Sequence, residues 1–290
     1  MKISSSRVRL GDIEMSYDEA GSGERPFVLV HGFTGCRDDF ASQLAALAAH
    51  GRTLAPDQRG HGDSTNTGFA STYNLAQLCD DLLGFADALG LERFDLLGHS
   101  MGGMVAQRFT LANPERVASL VLMDTASEPL AEGLPREMLE KGAAIARAIG
   151  MQGLHEIIRK GAGQNDRRSA PDRRLEQEWG ADRYWARVRR GFTSMDVEAF
   201  EALGIELGAG EPTTARLGEI SCPTTVLVGA MDTPFLAASR TIHQAIRDSQ
   251  LVVIPDGGHS PQLEAPAAWL TAIEGHLRWA RATPGWERES

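Results

Sequence analysis

Phe94-Asp-Leu-Leu-Gly-His-Ser-Met-Gly-Gly-Met104 places Ser100 at the centre of Gly98-His99-Ser100-Met101-Gly102. An apolar, β-rich run, Phe94 to Leu97, leads into this pattern. Met101 to Ala112, with apolar residues at three-to-four spacing, leads out of it as a helix. A serine in so tight a strand-to-helix turn is strained, and its neighbours two positions away must be small. The turn lifts the Ser100 hydroxyl above the strand end and aims a helix N-terminus at it. The helix dipole there stabilises negative charge that develops on a bound group. An incidental Gly/Ser loop would explain neither the strand before the pattern nor the helix after it.

The same rhythm extends outward. Ile13 to Tyr17 alternates, Phe27 to Val30 and Val117 to Met123 are continuous apolar runs, and Thr53 to Ala55 is a brief one. Between them Phe40 to His50 and Leu75 to Leu89 have helical spacing, with Asn74 suited to an N-cap and Gly90 to a C-terminal stop. Continuous apolar strands alternating with helices predict an α/β fold with a mostly parallel central sheet flanked by helices. After Asp124 the rhythm breaks, and it resumes with a strand at Thr224 to Gly229. A helix at Leu236 to Ile246, a strand at Leu251 to Ile254 and a helix at Trp269 to Arg281 follow. We therefore expect a core from residues 1–125 and 213–282, an inserted helical cap over 126–212, and a tail over 283–290. Such a cap would lie above the C-terminal sheet edge, where open α/β sheets bind ligands.

A serine hydroxyl needs a base within hydrogen-bond reach, and the base needs an acid to orient it. Asp232 follows the Thr224 to Gly229 strand, and His259 lies in the Gly-rich loop Pro255-Asp-Gly-Gly-His-Ser-Pro261 after the next one. The chain order Ser, Asp, His suits this architecture. Asp124, also just beyond a strand, is the rival acid. A tetrahedral acyl intermediate also needs two donors for its oxyanion. The backbone N–H of Met101, next to the serine, and that of Phe33, in the loop after Phe27 to Val30, are the candidates. Of the remaining histidines, His31, His61 and His99 would shape motif loops, while His50, His155, His243 and His276 fall on expected helical surfaces.

Composition narrows the field. The chain has 290 residues, a net charge of −10, 42% hydrophobic and 23% charged residues. Those proportions fit a globular domain with a sizeable core, and the acidic balance argues against a nucleic-acid partner. No apolar run is long enough for a membrane span, and Met1 to Gly11 lacks the apolar segment of a secretory signal. Cys36, Cys79 and Cys222 are an odd set without a Cys-x-x-Cys pair, which points to a reducing cytoplasm. His-Glu-x-x-His, Walker and Gly-x-Gly-x-x-Gly patterns are absent, so no metal or cofactor is expected.

Together, His31-Gly-Phe-Thr-Gly35, Asp57-Gln-Arg-Gly-His-Gly-Asp-Ser64, Gly98-His-Ser-Met-Gly-Gly103, Met231-Asp232 and Gly258-His259 resemble the motif set of the α/β-hydrolase superfamily, in its serine carboxylesterase-like form. The resemblance implies Ser100 as nucleophile, His259 as base, Asp232 as acid, a helical cap, and a small-molecule ester or related acyl substrate. It gives the Asp57 to Ser64 loop a structural role. Ser at position 100 disfavours the aspartate-nucleophile dehalogenases and epoxide hydrolases. Ser260 stands where carbon–carbon bond hydrolases often carry Trp, and Met104 where the menaquinone-pathway synthase typically has Arg. Lactonase, carbon–carbon hydrolase, lyase and perhydrolase chemistry, or binding without turnover, are the alternatives to ester hydrolysis.

The expected cap carries ten basic residues between Arg159 and Arg190 against five acids. An anion-steering surface is one reading, and a solvated face laced with ion pairs is the favoured one. Trp179, Tyr184, Trp185, Phe192, Met195 and Phe200 supply apolar bulk for packing or for a pocket. Phe33 and Met101 have the stronger claim to touch substrate, and Cys36, close to the Phe33 loop, is a candidate for alkylation.

Overall fold

The computed structural model describes residues 2–130, 135–162 and 168–283. The expected tail beyond Thr283, and Asp166 and Arg167 of the basic stretch, lie outside them. The strands are β1 Ser4–Leu10, β2 Ile13–Ala20, β3 Phe27–Val30, β4 Thr53–Pro56, β5 Phe94–His99, β6 Val117–Met123, β7 Thr224–Gly229 and β8 Ser249–Ile254. They form one sheet in the order β1-β2-β4-β3-β5-β6-β7-β8. β1 and β2 pair antiparallel, as do β2 and β4, and the remaining pairs are parallel. This is the α/β-hydrolase fold.

β3, β5, β6 and β7 are buried along their whole length because helices cover both faces. On one face lie α2 (Leu75–Ala88), α3 (Met101–Ala112) and α8 (Thr233–Ala245), which contribute Leu78, Phe85, Val105, Phe109 and Ile242 to the core. The other face is covered by α1 (Ala41–Leu47) and, after the short helix α9 (Pro261–Glu264), by α10 (Pro266–Ala282); α1 and α10 contribute Leu44, Leu47, Trp269, Ile273 and Leu277. Asn74 caps α2, its side chain accepting from the Gln77 N–H at 2.8 Å, and Gly90 follows at φ 66°. The expected helix from Phe40 is shorter than its apolar spacing suggests. A 3-10 turn, Arg37–Phe40, precedes α1, which ends at Leu47.

Between β6 and β7 run α4 (Arg136–Ala162, broken at Gly150), α5 (Ala170–Trp179), α6 (Ala181–Ser194) and α7 (Val197–Ala209). Phe200 and Leu203 of α7 and Leu139, Ala143 and Leu154 of α4 join the core on the α2/α3 face. Ion pairs fasten α6 to the loops of the sheet: Arg187 to Asp39 at 2.8 Å, Arg190 to Asp63 at 2.8 Å and to Asp38 at 3.4 Å. Arg174 of α5 donates to the backbone carbonyls of Asp256 and Glu264. Three arginines of the basic stretch, Arg174, Arg187 and Arg190, are thus satisfied in place. Two expected surface histidines prove to be core residues, because the helices that carry them are covered on that side. His155 and His276 are each 2% exposed.

Candidate active site

The C-terminal ends of β3 and β5 and the loop after β8 converge on one cavity of about 590 Å³, which α4, α5 and α6 also line. Ser100 sits where β5 turns into α3, at φ 53° and ψ −116°, a backbone region that costs a non-glycine residue about 1–3 kcal/mol. The surroundings hold it there. Its N–H donates to the Met123 carbonyl at 2.9 Å, and its own carbonyl accepts from the Thr125 hydroxyl at 2.7 Å. A Cβ on Gly102 would lie 2.4 Å from the Val30 carbonyl oxygen, and one on Gly103 would lie 2.5 Å from Thr125. Gly102 is thus fixed by close backbone approach and Gly103 by the Thr125 side chain, neither by a need for positive φ.

The loop after β8 brings His259 over the serine. His259 Nδ1 lies 2.8 Å from Asp232 Oδ2, and Nε2 lies 3.0 Å from Ser100 Oγ. A carboxylate only accepts, so Nδ1 carries the proton and Nε2 faces the serine hydroxyl as an acceptor. Asp232 immediately precedes α8 and is buried, whereas the His259 side chain is 42% exposed toward the cavity. Asp124, the rival acid, makes no hydrogen bond to His259. Its Oδ1 instead accepts from the Gly229 N–H at 2.9 Å.

Among the described residues, the backbone N–H groups of Phe33 and Met101 have no intramolecular acceptor, and Phe33 lines the cavity beside Ser100. The Met101 side chain does not line it. It is 1% exposed and packs into the core, because the first turn of α3 points it inward. Cys36 is buried as well, and burial together with the nearby Asp39, Asp38 and Asp57 charges pushes its thiol up, which removes the grounds for alkylation. Tyr184 and Trp185 line the cavity, while Met195 and Phe200 pack in the core.

One supporting residue escapes a sequence reading. Glu264 accepts from the N–H of Gly258 at 2.5 Å and of Ser260 at 3.3 Å, holding the loop on both sides of His259. Burial raises its carboxyl above the usual range, partly offset by those amides. Its only signal is an acid five residues after a loop histidine. His99 donates from Nε2 to the His259 carbonyl at 2.7 Å and braces the same loop from below. Burial, with the His259 ring beside it, pushes the His99 ring down to about 3, so it stays neutral. In the Asp57 to Ser64 loop, Arg59 forms a two-point ion pair with Asp81 at 2.7 Å, a structural role.

Comparison with known proteins places this geometry. A family profile described as the alpha/beta hydrolase fold matches residues 25–266. A 2-hydroxy-6-oxo-2,4-heptadienoate hydrolase from Pseudomonas putida is 30% identical over 276 residues, covering 93% of this chain and 95% of that protein. Among solved structures, a thermophilic esterase from Thermogutta terrifontis matches with a TM-score of 0.78 and 29% identity, over 96% of this chain and 99% of that one. An enol-lactonase from Burkholderia xenovorans LB400 matches with a TM-score of 0.78 and 25% identity, over 94% and 100%. Among the described residues no helix is long and apolar enough to cross a membrane. The chain belongs to the α/β-hydrolase family, and its chemistry is hydrolytic.

Proposed function

We propose that the chain hydrolyses carboxylic esters of small molecules through an acyl-enzyme on Ser100. The observation that carries this reading is the hydrogen-bonded series Ser100–His259–Asp232 at the floor of the cavity. His259, oriented by Asp232, takes the Ser100 proton as the oxygen attacks the ester carbonyl, and the N–H groups of Phe33 and Met101 hold the oxyanion. Such a donor contributes about 3–4 kcal/mol to the transition state. His259 then protonates the leaving alcohol and activates the water that releases the acid. No cofactor enters these steps.

Helices α4 to α7 act as the cap that encloses the substrate. The cavity wall supports a neutral substrate over an anionic one. Arg187 is already paired with Asp39 and Arg168 with Glu176, and Asp172 accepts from the Tyr184 hydroxyl. The esterase and enol-lactonase relatives act on acyclic or cyclic esters, in keeping with this reading. Ser260 after His259 departs from the pattern of the carbon–carbon bond hydrolases.

The test is hydrolysis of p-nitrophenyl esters from acetate to laurate, with Ser100→Ala as control. Activity that disappears with the substitution supports the serine mechanism, and the chain-length optimum sizes the cavity. No turnover of any ester would sink the reading.

A further inference from the structure

Two buried carboxyl groups, not one, stand behind His259. Asp124 immediately follows β6 at φ 46°, a left-handed conformation that an aspartate adopts at a cost, and it is completely buried. Its Oδ1 is fixed by the Gly229 N–H, three residues before Asp232. Its Oδ2 is buried and makes no hydrogen bond of normal geometry. Oxygens of Asp124 and Asp232 and a ring nitrogen of His259 all lie within 4.8 Å of one another.

We infer that Asp124 is a positioning residue for Asp232 and a reserve acid for His259. The inference rests on the reading of Ser100, His259 and Asp232 given above. Capping the Gly229 N–H requires only an oxygen, which an asparagine would supply, so the cap alone does not call for an acid. Two carboxylates this close in a dry site cannot both ionise. The groups that face Asp124 are Asp232 after β7, His259 after β8 and Glu264 at the end of α9, and both acids repel a second negative charge. Burial, followed by the Asp232 charge, raises the Asp124 carboxyl well above the usual range, so Asp124 holds a proton more readily than an ordinary aspartate does. The acceptor within reach of that proton is the Asp232 carboxylate. A proton shared between the two fixes the Asp232 side chain, whose other oxygen receives His259 Nδ1–H. When the Asp232 charge is removed, the main repulsion goes with it. Burial remains, but the imidazolium that forms as Ser100 attacks supplies an opposite charge, which favours the ionised form of Asp124 in place of Asp232.

The test is the rate at which a fluorophosphonate probe labels Ser100, a readout independent of the natural substrate. Asp232→Ala should slow labelling without abolishing it. Asp124→Asn in the Asp232→Ala background, which keeps an acceptor for Gly229, should slow it further by about tenfold or more, the effect of losing one nearby charge. In Asp232→Ala alone, the rate should climb with pH through two ionisations, those of His259 and Asp124. Equal rates for the single and double variants across pH would overturn the inference while leaving the Ser100 reading intact. Should the double variant fail to fold, a single ionisation in Asp232→Ala would overturn it equally. A wild-type protein that does not label would remove the Ser100 reading and the inference with it.

Discussion

A Cβ on Gly98 would lie 2.2 Å from the carbonyl oxygen of Gly102, so the two glycines that bracket Ser100 are in direct backbone approach. The strained serine is held between them, and a methyl group on either side has nowhere to go. Gly98→Ala should displace the turn, not merely crowd it. We expect a stability loss of about 1–3 kcal/mol, the usual cost of overpacking. Ester hydrolysis should fall by two orders of magnitude or more, because a shift of about 1 Å at the reacting atom costs roughly that much. Thermal unfolding and kcat/KM on p-nitrophenyl butyrate measure both. A variant with wild-type activity would show that the turn is not under this constraint.

A second prediction concerns the opposite end of the sheet. His276 Nε2 lies 2.9 Å from the Ser119 hydroxyl, which donates to Asp95, so Nε2 carries the ring proton. Nδ1 then accepts from the Thr225 hydroxyl at 2.8 Å. Burial, with Arg25 nearby, pushes this ring down to about 3, against about 6.5 in the unfolded chain. The unfolded state therefore binds the extra proton, and stability present above about pH 6.5 is lost as pH falls toward 3. At pH 5 the loss from this ring is about 2 kcal/mol. His276→Gln should be less stable at pH 7.5, having lost a fitted partner, yet fall less steeply between pH 7 and pH 5. The opposite contribution of the buried Asp95 is present in both proteins, to first order. Parallel urea midpoints across that range would refute the assignment.

These two sites mark what the sequence made legible. The Ser100 turn was readable because its constraint is local: strand, small residues and helix are contiguous. The nearness of Asp232 and His259 was readable because each lies in a loop that follows a strand, and both strands must reach the same sheet edge. The His276–Ser119–Asp95 network joins residues distant in the chain and has no local pattern, so His276 looked like a surface residue of an amphipathic helix. β1 was missed for another reason. Ser4 to Leu10 is an edge strand with mostly exposed side chains, and its alternation carries too few apolar residues to stand out. Glu264 was missed because its function is to receive backbone N–H groups, which no side-chain pattern records.

Glu264 yields a third prediction. Two amides flanking His259 converge on its Oε2. Glu264→Ala leaves both without that acceptor, at a cost of about 1–3 kcal/mol per buried group, and frees the loop that carries His259, the proposed base. We expect kcat to fall by about tenfold or more with little change in KM, since the loop sets the geometry of proton transfer and not the volume of the cavity. Glu264→Gln, which keeps an acceptor oxygen, should recover part of the loss. If Glu264→Ala changes KM alone, Glu264 shapes the pocket and not the base.

The last prediction addresses the basic stretch. Arg190 pairs with Asp63 and Asp38 across the junction between α6 and the sheet loops, and its side chain is 36% exposed. Pairs this exposed contribute at most about 1 kcal/mol and weaken with salt. Arg190→Gln should therefore loosen the packing of α6 on the sheet loops modestly, raising susceptibility to limited proteolysis within residues 168–194, and added salt should do the same to the wild type. Steering of an anionic substrate makes a different demand, because removing a positive charge would then penalise an ester with a carboxylate tail more than its neutral analogue. Arginines already matched to Asp39, Asp38, Asp63 and Glu176 leave little net field to steer with. We expect kcat/KM for p-nitrophenyl butyrate and for its ω-carboxylated counterpart to change by the same factor in an Arg189→Gln, Arg190→Gln double variant. A selective loss for the charged ester, itself diminished by salt, would reverse that reading and make the cap a recognition surface for anions.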